Sequence, residues 1–202
     1  RAYDEIIHDV ALQNLPVVLC FDRAGLVGED GATHNGCYDI AAYRPIPGAV
    51  ISAPRNELEL KNLMYTALHY SGGPFIIRYP RGCGEGVAWE GSDYAELPAG
   101  RGEKLLDGDG LAIVAAGPEV NRAMEAAENI RKRTGKCPAV YDIRYIKPLD
   151  GSIMEDAASK GMVLTVEEGC LKGGLFGAVT EYMAEHSHII PVEGLGIPDV
   201  YI

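Results

Sequence analysis

Short apolar runs alternate with segments of helical periodicity along almost the whole chain, and this restricts the fold more than any single motif. Pro16–Phe21, Ala49–Ala53, Pro74–Tyr79, Leu111–Ala116, Ala139–Ile143, Met162–Val166 and Ile189–Val192 have the length and composition of strands buried on both faces. Between them lie helical patterns. Tyr3, Ile6, Ile7, Val10 and Ala11 share one helical face, and Leu58, Leu60, Leu63, Met64 and Ala67 recur after Asn56-Glu57. Cys37–Tyr43, Pro118–Thr134, Ser152–Lys160 and Gly173–Glu185 complete the set of expected helices. Strand and helix in alternation predict α/β architecture with parallel sheets and crossover helices.

The alternation breaks once. Residues 83–110 are rich in glycine and acids, hold the only tryptophan, Trp89, and read as a linker between two domains, residues 1–82 and 111–202. A long surface loop within one domain is the alternative. With 202 residues, 47% of them hydrophobic, the chain is large enough to bury a core in either case. Its formal net charge of −11 argues against nucleic acid or an anionic membrane as partner. No apolar run approaches the ~20 residues of a membrane span. Cys20, Cys37, Cys83, Cys137 and Cys170 are odd in number and scattered. They read as reduced thiols of a cytoplasmic protein rather than as disulfide partners or zinc ligands. The opening Arg1-Ala2-Tyr3-Asp4-Glu5 lacks Met and has mid-helix character, so the chain is expected to be part of a longer polypeptide.

Polar chemistry gathers where these strands end. Asp22-Arg23-Ala24-Gly25 and Gly28-Glu29-Asp30-Gly31-Ala32-Thr33-His34-Asn35-Gly36 follow the first apolar run. Open α/β sheets bind ligands at the carboxyl ends of their strands. Arg23 there either binds an anion or forms a salt bridge to Asp22 or another surface acid. Asp30 and His34 either form an acid–imidazole couple for proton transfer and hydroxyl binding, or simply pin the turn. Arg81, in Arg78-Tyr79-Pro80-Arg81-Gly82, emerges from the third strand; a parallel sheet would bring it to the same edge as Arg23, where two arginines suit a phosphate. The alternative is pairing of Arg78 or Arg81 with linker acids. Later charged positions read as structural. Glu167-Glu168 beside Gly173-Gly174 fits capping or an interdomain contact, Asp142-Ile143-Arg144 an ion pair, and His186 with His188 a solvated helix end.

Taken together, these segments resemble a known family. Arg1-Ala2-Tyr3-Asp4, His8-Asp9-Val10-Ala11, Asp22–Gly28, Asp30-Gly31 with Thr33-His34, and Arg78–Gly82 are similar to the 1-deoxy-D-xylulose-5-phosphate synthases. Tyr145–Asp150, Thr165–Glu168, Gly173-Gly174 and Gly196–Asp199 extend the similarity through the second half. The Gly-Glu-Asp-Gly-x-Thr-His segment is shared with transketolases generally.

The resemblance implies most of a transketolase pyrimidine-binding domain followed by a transketolase C-terminal domain. It implies a thiamine diphosphate and Mg²⁺ enzyme that condenses pyruvate, with loss of carbon dioxide, onto D-glyceraldehyde 3-phosphate, acting as a homodimer. Carried over by position, Arg23 and Arg81 hold the aldehyde's phosphate. Asp30 and His34 face the reacting groups, with His34 a proton carrier. Arg1 matches a family arginine and is assigned no role. The family's metal motif and cofactor-activating glutamate precede these segments, so this stretch alone is expected to lack cofactor and metal ligands and to be inactive. Two other readings remain: a non-catalytic association half of a split enzyme, and another transketolase-like enzyme such as a pyruvate dehydrogenase β subunit.

Overall fold

The structure, a computed structural model, describes residues 2–202. The chain opens on a short α-helix, α1 (Tyr3–Glu5), which runs directly into a π-helical segment, Ile6–Ala11. Ile6 is buried with Ile46 and Ala49, which docks this segment on the first domain.

The first sheet is built on three parallel strands, β1 (Val18–Phe21), β2 (Val50–Ser52) and β3 (Phe75–Arg78), in the order β1-β3-β2. Side chains alternate between its two faces. Val50, Phe75 and Ile77 pack with Leu63 and Ala67 of α3 (Glu57–His69). Ile51 and Ile76 point the other way, into a cluster with Val114, Tyr141, Ile143, Met154 and Val179 of the second half. One core thus runs between the two domains. Truncating a buried isoleucine such as Ile76 to alanine would cost about 2–5 kcal/mol.

The second sheet has the order β4-β6-β5-β8-β9. Its strands are β4 (Glu103–Leu106), β5 (Ala112–Ala115), β6 (Ala139–Asp142), β8 (Val163–Cys170) and β9 (Val192–Ile197). Helices α4 (Glu119–Thr134), α5 (Gly151–Ser159) and α6 (Leu175–Glu185) are its crossovers, and α2 (Asp39–Tyr43) lies in the first domain. Local chemistry sets their ends. Asn56 Oδ1 accepts from Glu59 N–H at the start of α3, and Asp150 Oδ1 accepts from Ser152 N–H at the start of α5. Gly135, with φ +72°, ends α4 in the left-handed conformation.

Four features differ from the sequence reading. The expected linker contains β4, which pairs antiparallel with β6. Tyr145–Lys147 forms a strand, β7, that joins the first sheet antiparallel to β2. The sheets are therefore dominated by parallel pairs without being wholly parallel, and the second half donates a strand to the first. β8 continues to Cys170, so Glu167 and Glu168 lie within a strand rather than after it. The last strand is Val192–Ile197 instead of Ile189–Val192, and Ile189 is almost fully solvated. No helix among the described residues is long and apolar enough to cross a membrane.

Candidate active site

β1 and β3 are hydrogen-bonded neighbours, with Phe21 opposite Arg78. Their pairing continues past the last strand residues, because Tyr79 N–H donates to Phe21 O at 3.0 Å and Ala24 N–H donates to Tyr79 O at 3.0 Å. Arg23 and Arg81 therefore leave the sheet side by side. The Nε groups of both reach one oxygen, Asp30 Oδ2, at 3.2 Å from Arg23 and 2.8 Å from Arg81. Asp22 Oδ2 also accepts from Arg23 Nη1 at 3.2 Å, so the pairing expected as an alternative is present as well. Both arginine side chains keep 45% of their exposure and Asp30 keeps 22%, so the cluster faces solvent.

Two short 3₁₀ turns, Gly28–Asp30 and Ala32–His34, carry the acid and the imidazole. The structure does not couple them. His34 is exposed, and its Nδ1 lies 3.1 Å from Thr33 Oγ1. The loop closes on itself at its base, where Gly25 and Gly36 exchange N–H···O bonds of 3.0 and 2.9 Å. Gly36 is required there, since a Cβ would overlap the Arg23 carbonyl. Asn35 Oδ1 accepts from Val27 N–H at 3.1 Å and braces the turn from within.

Two further residues hold this edge together. Arg78 is buried and pairs through Nε with Asp39 Oδ2 at 2.7 Å, not with a linker acid. Glu168 of β8 crosses from the second domain, and its Oε1 accepts from Leu26 N–H at 3.1 Å. Burial pushes the Glu168 carboxyl above its ordinary pKa, and the Leu26 N–H works against that shift. The sequence offered Arg78 as a partner for linker acids, and its place at the end of an apolar strand gave no hint of Asp39. The interdomain contact expected of the Glu167-Glu168 pair is made by Glu168, while its partner Leu26 carried no signal in the sequence.

A cleft of about 550 Å³ opens beside the cluster, lined by Arg81, Gly82, Arg55, Glu57, Arg122 and Glu168 among others. It lies where the carboxyl ends of β2 and β3 meet the start of α4, the position at which doubly wound sheets take ligands. Among the described residues no group of three or more His, Cys, Asp or Glu side chains could hold a metal ion. The groups that converge are two guanidiniums, which suit an anionic molecule; Mg²⁺ takes oxygen ligands.

Two family models match the chain: "Transketolase, pyrimidine binding domain" over residues 1–85 and "Transketolase, C-terminal domain" over residues 100–202. The chain belongs to the transketolase family. Within that family it is similar to curated 1-deoxy-D-xylulose-5-phosphate synthases. The Bacteroides thetaiotaomicron protein is 48% identical over all of this chain and 31% of its own length. The Parabacteroides distasonis protein is 49% identical over all of this chain and 32% of its own length. The chain thus spans about a third of the relatives it matches. A solved structure described as "Split gene transketolase, inactive beta4 tetramer" superposes with a TM-score of 0.86 at 30% identity. That likeness covers 99% of this transketolase-family chain and 64% of the solved one.

Proposed function

We propose that this chain forms the aldehyde-phosphate site of a 1-deoxy-D-xylulose-5-phosphate synthase, which joins pyruvate to D-glyceraldehyde 3-phosphate with loss of carbon dioxide. The observation that carries the reading is the convergence of Arg23 and Arg81 on a single oxygen of Asp30 at the exposed edge of β1 and β3. A guanidinium has five N–H donors. Nε of each faces Asp30 and Nη1 of Arg23 binds Asp22, which leaves Nη2 of Arg23 and the Nη groups of Arg81 for a phosphate. His34 uses Nδ1 toward Thr33, so in this reading its Nε2 is the atom that exchanges a proton with a substrate oxygen. Asp30, between the arginines, orients them and can accept from a substrate hydroxyl.

Thiamine diphosphate, bound with Mg²⁺ in the complete enzyme, supplies the carbanion chemistry. The residues of this chain bind and orient the aldehyde. A homodimeric, cytoplasmic enzyme belongs to the same reading. In the complete enzyme Arg81→Ala is expected to raise KM for D-glyceraldehyde 3-phosphate while leaving KM for pyruvate nearly unchanged. Normal kinetics for the phosphorylated aldehyde in that variant would overturn the reading.

The structural neighbour favours a second reading, in which the chain is the association half of a split enzyme. Mixing it with a separately made amino-terminal half separates the two. Restored turnover supports the first reading, and a stable but inactive assembly supports the second.

A further inference from the structure

β8 presents its two adjacent glutamates to opposite sides, as successive strand residues must. Glu167 turns inward and caps α6: its Oε2 and Oε1 accept from Leu175 N–H and Phe176 N–H, both at 2.8 Å. Glu168 turns outward, leaves its own domain and reaches the first loop of the candidate site and the end of β3. Its side chain accepts from Leu26 N–H at 3.1 Å, inside the loop that carries Arg23, Asp30 and His34. Its main-chain oxygen accepts from Arg78 Nη2 at 2.9 Å, three residues before Arg81. Gly25 sits directly against the Glu168 side chain, and a Cβ at that position would overlap Glu168 Cγ and Cδ. Close backbone approach and a φ of +79° both require glycine there. Glu168 also lines the cleft beside Arg81.

We propose that Glu168 is a positioning residue, through which the second domain holds the Arg23–Asn35 loop in register with Arg81. The inference rests on the reading of Arg23 and Arg81 as a phosphate site. The base of the Arg23–Asn35 loop is closed by the Gly25–Gly36 bonds and tied to Tyr79 through Ala24 N–H, while the Leu26 N–H further out is satisfied from the second domain, by Glu168. A displacement of about 1 Å in a binding group can cost on the order of 100-fold in rate.

The test uses the complete enzyme. Glu168→Ala is expected to raise KM for D-glyceraldehyde 3-phosphate about tenfold, with kcat and KM for pyruvate each changed less than about twofold. Glu168→Gln keeps an oxygen that accepts from Leu26 and is expected to restore KM to within about threefold. Glu168→Asp keeps the charge but loses one methylene of reach, so it is expected to behave like alanine; it also serves should the alanine variant fail to fold. Hydrogen exchange supplies a readout independent of turnover, since the Leu26 amide is expected to lose roughly tenfold protection in Glu168→Ala and Glu168→Asp. Unchanged Leu26 protection, or a glutamine variant no better than alanine, overturns the proposal. If Arg23→Ala and Arg81→Ala leave KM for the phosphorylated aldehyde unchanged, the phosphate reading fails. Faster Leu26 exchange would then still support Glu168 as the residue that holds the loop.

Discussion

The carboxyl edges of the two sheets use the same residue types to opposite ends. At the edge of the first, Arg23, Arg81 and Asp30 meet in the open, on loops, with donors to spare. At the edge of the second, Asp142, Arg144, Asp150 and Glu167 are buried. Their polar atoms are largely consumed by the protein itself. Arg144 Nε binds Glu59 at 2.7 Å and its Nη2 binds Glu103 at 3.1 Å. Arg55, from the first domain, approaches Asp142 at 3.6 Å and Glu103 at 3.4 Å. Asp150 and Glu167 each cap a helix. Convergence with exposure marks the ligand edge, and convergence with saturation marks the structural one. The buried network also crosses between domains, so what it stabilises is the frame on which the exposed cluster is hung.

The comparison fails most visibly if Arg144 proves dispensable. Its guanidinium is nearly buried, held against Glu59 and Glu103, and it sits at φ +54°, a conformation that side chains other than glycine rarely adopt. Arg144→Ala would leave Glu59 buried and short of its partner. A loss of about 3–5 kcal/mol in denaturant unfolding is expected, with little change in ligand affinity where folded protein persists. Arg81→Ala is expected to do the reverse. Losing one charge-assisted contact to a phosphate costs about 1.5–3 kcal/mol of binding, while its half-exposed pair with Asp30 contributes at most ~1 kcal/mol to stability. Parallel measurement of melting and of KM for the aldehyde phosphate sorts the two variants. A third variant lies between them. Asp150→Ala removes the α5 cap and the acceptor for Gly102 N–H at 3.0 Å. About 1 kcal/mol of stability should be lost, with kinetic constants intact.

Much of this contrast is invisible in the sequence. Apolar runs marked β2, β3, β5 and β6 because strands covered on both faces need uninterrupted hydrophobicity, whereas β1, read the same way, is an edge strand only partly covered. Arg23 and Arg81 could be placed on one edge because parallel neighbours bring equivalent ends together. β4 and β7 escaped notice for a physical reason. Glu103–Leu106 is an edge strand with half its face in water, and Tyr145–Lys147 has only three residues, so neither carries a periodic signal. Burial of charge was equally hidden. Asp142 and Asp30 are both aspartates near strand ends, and only the tertiary fold decides that one is sealed under Arg55 while the other faces solvent. Glu168 acts on a residue 142 positions away, a distance at which spacing carries no information.

The finest test concerns Asp142, which is fully buried, with Oδ2 lacking a hydrogen-bond donor among the described residues. Burial pushes its pKa well above the ordinary carboxylate value, nearby Glu59 pushes in the same direction, and Arg144 and Arg55 oppose both. The folded chain therefore binds this proton more readily than the unfolded chain does. From the ordinary carboxylate range up to the raised value, the native state holds a proton that the unfolded state has released, so the contribution of Asp142 to stability falls as pH rises. Asp142→Asn has no proton to lose. Because the surrounding charges share the titration, the difference should be roughly a few tenths of a kcal/mol per pH unit. Thermal melts of both proteins between pH 5 and 8 check it. The asparagine variant is expected to gain on the native protein as pH rises. The opposite trend would mean that Arg55 and Arg144 overcome the cost of burial, and the second edge would then be held together by its charges instead of merely tolerating them.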